Sequence, residues 1–166
     1  MNKKAHGLDT ILAIVTVFGL ALTALMGIYS YNEFVTAANQ STTFNQTPQA
    51  IDAMVTAQQA NYMWDYVILV IFIGFAMAMM ILGYFVDVHT IFFPIFVIVM
   101  LVGVLIAGVL SYTWERVADT SAFTVLKSTR FPITNHLLMN LTIYYTIIAG
   151  LALITTYAKT RGREGY

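Results

Sequence analysis

Residues 66–112 read YVILVIFIGFAMAMMILGYFV, then DVH, then TIFFPIFVIVMLVGVLIAGVLSY. Neither long run holds a charged residue, and only Asp87, Val88 and His89 part them. Each run has about 21–23 residues, enough at about 1.5 Å per residue to cross a hydrocarbon core of about 30 Å. The break is too short for anything but a turn. The stretch therefore predicts a tight transmembrane helical hairpin, with its turn at one membrane face and its ends at the other.

Two further apolar runs flank it. Thr10 to Tyr31 follows a short polar start with Lys3 and Lys4, and Leu137 to Ala158 precedes a basic tail with Lys159, Arg161 and Arg163. A basic start before an apolar run also describes a signal peptide, but this run is longer than the usual apolar region of about 7–15 residues, which predicts an uncleaved anchor. Thr10, Thr16 and Thr23 are tolerable in lipid because each hydroxyl can bond the carbonyl one turn back. The expected fold is all-α: a polytopic integral membrane protein, one membrane domain over residues 1–166, with spans near 10–31, 66–86, 90–112 and 137–158.

Composition agrees. The chain of 166 residues is 59% hydrophobic and 10% charged, against about 25% charged in soluble domains. Formal net charge is zero, so there is no electrostatic footprint for nucleic acid. The absence of cysteine removes disulfides, thiolate nucleophiles and cysteine-based metal sites together.

Two polar segments, 32–63 and 113–136, are expected outside the lipid. In the first, residues 37–46 read as loop, and Thr47-Pro48 reads as a helix start with a capping hydroxyl and a proline in the first turn. Ile51, Met54, Val55 and Tyr62 then share a face, predicting a short amphipathic helix from Pro48 to about Tyr62, on the membrane or running straight into the next span. The triplets beginning at Asn39 and Asn45 are formal glycosylation sequons of a kind that chance supplies in an Asn/Thr-rich loop. In the second segment the third helix is expected to continue to about Ala118. Phe131-Pro132 should break the chain, with Thr134 or Asn135 capping the last helix. Trp64 and Tyr66 mark one membrane interface, and Tyr84, Phe85, Phe92, Phe93 and Phe96 the other. Five Lys/Arg flank the termini and three lie in segment 113–136, so the positive-inside rule places both termini in the cytoplasm.

Helices associate in lipid through small residues that let backbones approach. Such residues recur at four-residue spacing: Gly19, Thr23 and Gly27; Gly74 and Ala78; Gly103, Ala107 and Ser111; Thr142, Thr146 and Gly150. They predict a packed bundle, or one packed against partners, with Gly103 and Gly150 where backbones touch.

Candidate chemistry is sparse. No charge lies at mid-span, which removes the carboxylate expected of ion-coupled transport. His6 and His89 are expected on one side of the membrane and His136 on the other, so the three cannot share a metal. Asp87 and His89 can pair or cap the turn. Nine methionines, among them Met77, Met79 and Met80, read as adaptable packing. No catalytic residue, cofactor site or metal site is expected. The densest charge cluster, Glu115, Arg116 and Asp119 beside Trp114, reads either as a solvated helix end or as a docking surface for a partner.

One pattern extends beyond single residues. An apolar run opening on FPIF (93–96) closes on LSYTWE (110–115), and FPITNHLLMNL (131–141) leads into the last span and its basic tail. Over about residues 90–163 this resembles small multi-span membrane proteins encoded by bacteriophages and mobile elements, some of them from lipid-containing or membrane-associated particles. The resemblance implies a structural or assembly role, with other membrane subunits and the bilayer as partners and a virion membrane as one setting, and brings no catalytic residues. The expected function is thus a non-enzymatic structural subunit of a membrane complex. The alternatives are a pore or holin-like protein, whose polar stripe would run through Thr142, Tyr145, Thr146 and Thr156, and an accessory subunit of a respiratory or transport enzyme.

Overall fold

The computed structural model describes residues 6–41, 47–85 and 93–163. All regular structure among them is helical: α1 (His6–Asn39), α2 (Pro48–Asn61), α3 (Trp64–Phe85), α4 (Phe93–Ala118), α5 (Thr124–Thr129), α6 (Pro132–Met139) and α7 (Leu141–Arg163). Four stretches are long and apolar enough to cross a membrane: Ile11–Asn39, Pro48–Ile81, Val97–Ala118 and Leu141–Ala158. The protein has an all-α, polytopic membrane fold.

Several local expectations meet the structure directly. Pro94 is the second residue of α4, where its missing N–H breaks no helical bond. Thr16 and Thr23 donate their hydroxyls to the carbonyls of Leu12 and Gly19, both at 2.8 Å, so neither offers lipid an unpaired polar group. At α2 the chemistry is simpler than expected. Pro48 opens the helix, but the Thr47 side chain makes no cap bond, and its carbonyl instead accepts the N–H of Ala50 and Ile51.

Two elements are longer than their apolar runs. α1 has 34 residues, about 51 Å at 1.5 Å per residue, and α2 with α3 is interrupted only at Tyr62 and Met63. The ends of α1 and α2 therefore project beyond the hydrocarbon. Tyr31 on α1 donates its hydroxyl to the Met54 carbonyl at 2.7 Å. Further in, Ala13, Ile14 and Val17 of α1 meet Phe72, Phe75, Ala76 and Met79 of α3 around a void of about 20 Å³. α1 and the α2–α3 pair thus run antiparallel over most of their length.

α3 and α4 make their main contacts with α1 and α7 rather than with each other. The arms of the expected tight hairpin lie across the bundle from one another, with the first and last helices between them. The physical reason is supply of partners: in lipid an arm gains nothing from its sequence neighbour that a better-fitting helix cannot give. The turn, with Asp87 and His89, lies outside the described residues, as do residues 42–46 with one sequon. The side chains of Tyr84, Phe85, Phe92, Phe93 and Phe96 and of His6 are likewise outside them.

The last span departs most from expectation. Its helix starts at Pro132, not beyond Asn135, and is broken at Asn140 into α6 and α7. Thr134 and Asn135 are inside α6 and cannot cap it. The break is bonded on both sides. Ser111 on α4 donates its hydroxyl to the Met139 carbonyl at 2.6 Å, and the Asn140 amide donates to the His136 carbonyl at 2.8 Å. A backbone carbonyl released at a break in a membrane helix must find such a donor.

Candidate functional site

Side-chain contacts between distant parts of the chain gather at the end of the bundle, here called the outer end, where α4 finishes and residues 119–140 fold back over it. α4 is two-faced here. Ala107, Trp114 and Ala118 turn inward and are buried, while Tyr112, Glu115, Arg116, Asp119 and Thr120 turn outward. Trp114 is fully enclosed and donates its indole N–H to the Asn135 side-chain oxygen at 3.0 Å. Phe131, Thr134, Leu137, Leu138 and Leu141 complete the apolar seat under the returning chain, and Tyr29 of α1 meets Phe123 edge to face, centroids 5.3 Å apart.

One buried charge clamps this end. Asp65, in the first turn of α3, is 3% exposed. Its carboxylate accepts the backbone N–H of Ile133 at 3.0 Å and of Thr134 at 2.7 Å. Those N–H groups belong to the first turn of α6, whose N-cap residue, Phe131, has no side chain able to bond them. Asp65 thus caps a helix 68 residues away. Burying a carboxylate without partners is prohibitive. Here two charge-assisted bonds and the positive end of the helix dipole offset the cost.

The outward face of α4 lines an open hollow of about 380 Å³, formed by Tyr112, Glu115, Arg116, Asp119 and Thr120. Arg116 donates its Nε–H to the Tyr112 hydroxyl at 2.8 Å and leans over the same ring. Asp119 pairs with Lys127 of α5. Glu115 has no ion pair or hydrogen bond among the described residues. The hollow therefore displays one unpaired carboxylate, one guanidinium held by a phenol and one carboxylate already matched to a lysine.

The docking set expected from sequence needs one correction. Glu115, Arg116 and Asp119 share this face, but Trp114 points the other way, its ring enclosed and its N–H used by Asn135. It braces the platform and cannot touch a partner.

The small-residue set divides. Gly103 and Ala107 are buried, and a Cβ on Gly103 would fall 2.0 Å from the Tyr145 hydroxyl. Thr142 comes within 3.7 Å of a Cβ placed on Gly108 of α4. Ser111 acts through its hydroxyl on Met139. Gly19, Thr23, Gly27, Gly74, Ala78 and Thr146 face outward, and a Cβ on Gly19, Gly27, Gly74 or Gly150 would meet nothing within 4 Å. Among the described residues Gly150 is therefore not where two backbones touch.

The polar stripe expected of a pore divides: Tyr145 and Thr156 are buried, Thr142 is half-buried and Thr146 faces outward. Tyr145 is buried and donates to the Met100 sulfur at 3.6 Å. Thr146 bonds the Thr142 carbonyl, and Thr155 and Thr156 bond that of Ala152. His136 is exposed and sits edge to face with Tyr144. Among the described residues no three of His, Asp and Glu lie together as a metal-ligand set.

Sequence reasoning missed Asp65 and Asn135 as partners. One signal was available: Phe131-Pro132 starts a helix with proline in place but no capping side chain, so the cap had to come from elsewhere in the chain.

No protein family, no curated protein and no solved structure matches this chain.

Proposed function

We propose that the protein is a structural or assembly subunit of a larger membrane complex, presenting the outer face of α4 to a partner outside the lipid. The observation that carries this reading is the clasped outer end. A buried aspartate, a buried tryptophan and a bonded helix break hold residues 111–140 as a rigid platform. Rigidity of that kind serves binding, because a pre-ordered surface loses little entropy on association. On the platform the exposed polar groups gather at Glu115, Arg116 and Asp119, beside the hollow. A phage or virion membrane as the setting rests on the likeness of residues 90–163 to phage-encoded membrane proteins. Cytoplasmic termini rest on the distribution of lysine and arginine.

The test is co-purification in mild detergent of the protein with Glu115→Arg and Arg116→Glu, compared with wild type at two ionic strengths. Loss of partners at low salt, with membrane insertion unchanged, is expected, because exposed charge contacts are screened by salt. Unchanged partners at both ionic strengths would remove α4 from the interface. Dye release from liposomes by the intact protein would replace the structural reading with a pore.

A further inference from the structure

Residues 61–65 and 130–134 lie against each other at one end of the bundle. Asp65 holds Ile133 and Thr134, and the Arg130 guanidinium stacks over the Tyr62 ring, 3.7 Å from its centroid. Polar groups in these two segments lack partners: Asn61 Nδ2, Arg130 Nη1 and the Thr134 hydroxyl are cut off from solvent and make no hydrogen bond among the described residues. Arg130 also has no carboxylate within ion-pair distance among the described residues. Asp65 is turned to α6, and Asp119 is paired with Lys127. Buried polar groups are nearly always bonded, so each orphan asks for an explanation. Arg130 is thus a cationic donor with one N–H unmatched among the described residues, the chemistry that takes an oxyanion.

The level of the site identifies the oxyanion. Tyr62 stands immediately before Trp64 and Tyr66, the aromatic pair that marks the membrane interface, where lipid phosphates lie. From Tyr62 an exposed apolar stripe descends α3 through Tyr66, Val70, Ile73, Met77 and Ile81, a path for an acyl chain leading down from the arginine. We propose that Arg130, held over Tyr62, binds the phosphate of a phospholipid headgroup, with Asn61, next to Tyr62 in the chain, as a second donor. Stacking fixes the guanidinium plane and leaves its edge for a bidentate contact with phosphate oxygens. Arg130 is only partly buried and Tyr62 is exposed, so a headgroup can reach the stacked pair without moving either helix.

The experiment is native mass spectrometry of the full chain from detergent, counting lipids retained from equal mixtures of phosphatidylglycerol and a phosphate-free diacyl glycolipid. Wild type should retain the phospholipid preferentially. Arg130→Gln and Asn61→Asp should each lower retention about tenfold or more, the scale of a lost hydrogen bond to a charged group, while Lys127→Gln should leave it unchanged. Asn61→Asp replaces a donor already without a partner by a carboxylate that repels phosphate, so it tests the site even if Arg130→Gln weakens the fold. Equal retention of both lipids by wild type, or undiminished retention in both variants, overturns the proposal. Release of the lipid by millimolar inorganic phosphate would assign the site to a free anion instead.

Discussion

The Asp65 carboxylate and the Thr134 amide, 69 residues apart, meet at 2.7 Å in the interior of the outer bundle end. This bond joins the start of α3 to the start of α6. Removing the acceptor leaves one buried and one part-buried N–H group without their bonds. Asp65→Ala is expected to destabilise the protein by about 1–3 kcal/mol, the range for losing charged hydrogen bonds and a helix cap. Asp65→Asn, which keeps one acceptor oxygen, should cost less. Thermal unfolding in detergent, followed by circular dichroism, measures both. Equal melting of wild type and Asp65→Ala would show that the clasp contributes nothing.

What could be read in advance divides along physical lines. The spans were legible because lipid demands long uncharged helices, and 66–86 and 90–112 meet that demand residue by residue. Which helix packs on which was not. The hairpin Tyr66–Tyr112 is defined by connectivity, whereas contact is decided by shape, as where Tyr145 fills the space left by Gly103. Spacing also treated the glycines alike, yet Gly103 is pressed by a neighbour and Gly150 is not. The docking cluster was legible as charge. The inward turn of Trp114 was not, since an aromatic next to charges at a helix end reads equally as anchor or as brace.

Gly103 and Tyr145 give a packing prediction with an internal control. A methyl at position 103 would lie 2.0 Å from the Tyr145 hydroxyl and 2.5 Å from the ring carbon bearing it, so Gly103→Ala should cost about 1–3 kcal/mol by overpacking. Combining it with Tyr145→Val should recover part of that loss. Gly150→Ala should be neutral or stabilising by up to about 1 kcal/mol, because alanine is the better helix former. Denaturation midpoints of the three variants decide it. A tolerated Gly103→Ala beside a damaging Gly150→Ala would reverse the assignment of these two sites.

Topology is testable with introduced cysteines. Cysteines at Gln49 in α2 and at Ser121, between α4 and α5, should label from one side of the membrane with an impermeant reagent. A cysteine at Arg163 should label from the other, the cytoplasmic side if the basic termini obey the positive-inside rule. The chain has no native cysteine, so each signal is unambiguous. Labelling of all three from one face would contradict a four-span path.

The two tryptophans offer a local probe of the clasp. Trp64 is exposed and Trp114 is fully buried. In a Trp64→Phe variant all remaining indole emission comes from Trp114, which should resist an aqueous quencher such as iodide. Adding Asp65→Ala removes the cap on α6, the helix that carries Asn135, the bonding partner of the Trp114 indole. Local opening follows where a helix end loses its bonds, at free energies below that of global unfolding. The double variant should therefore become quenchable at temperatures where circular dichroism still reports intact helices. If the quenching constant stays at the Trp64→Phe value until the helices melt, Trp114 is held by its apolar seat alone, and the Asp65 cap has no part in ordering the platform.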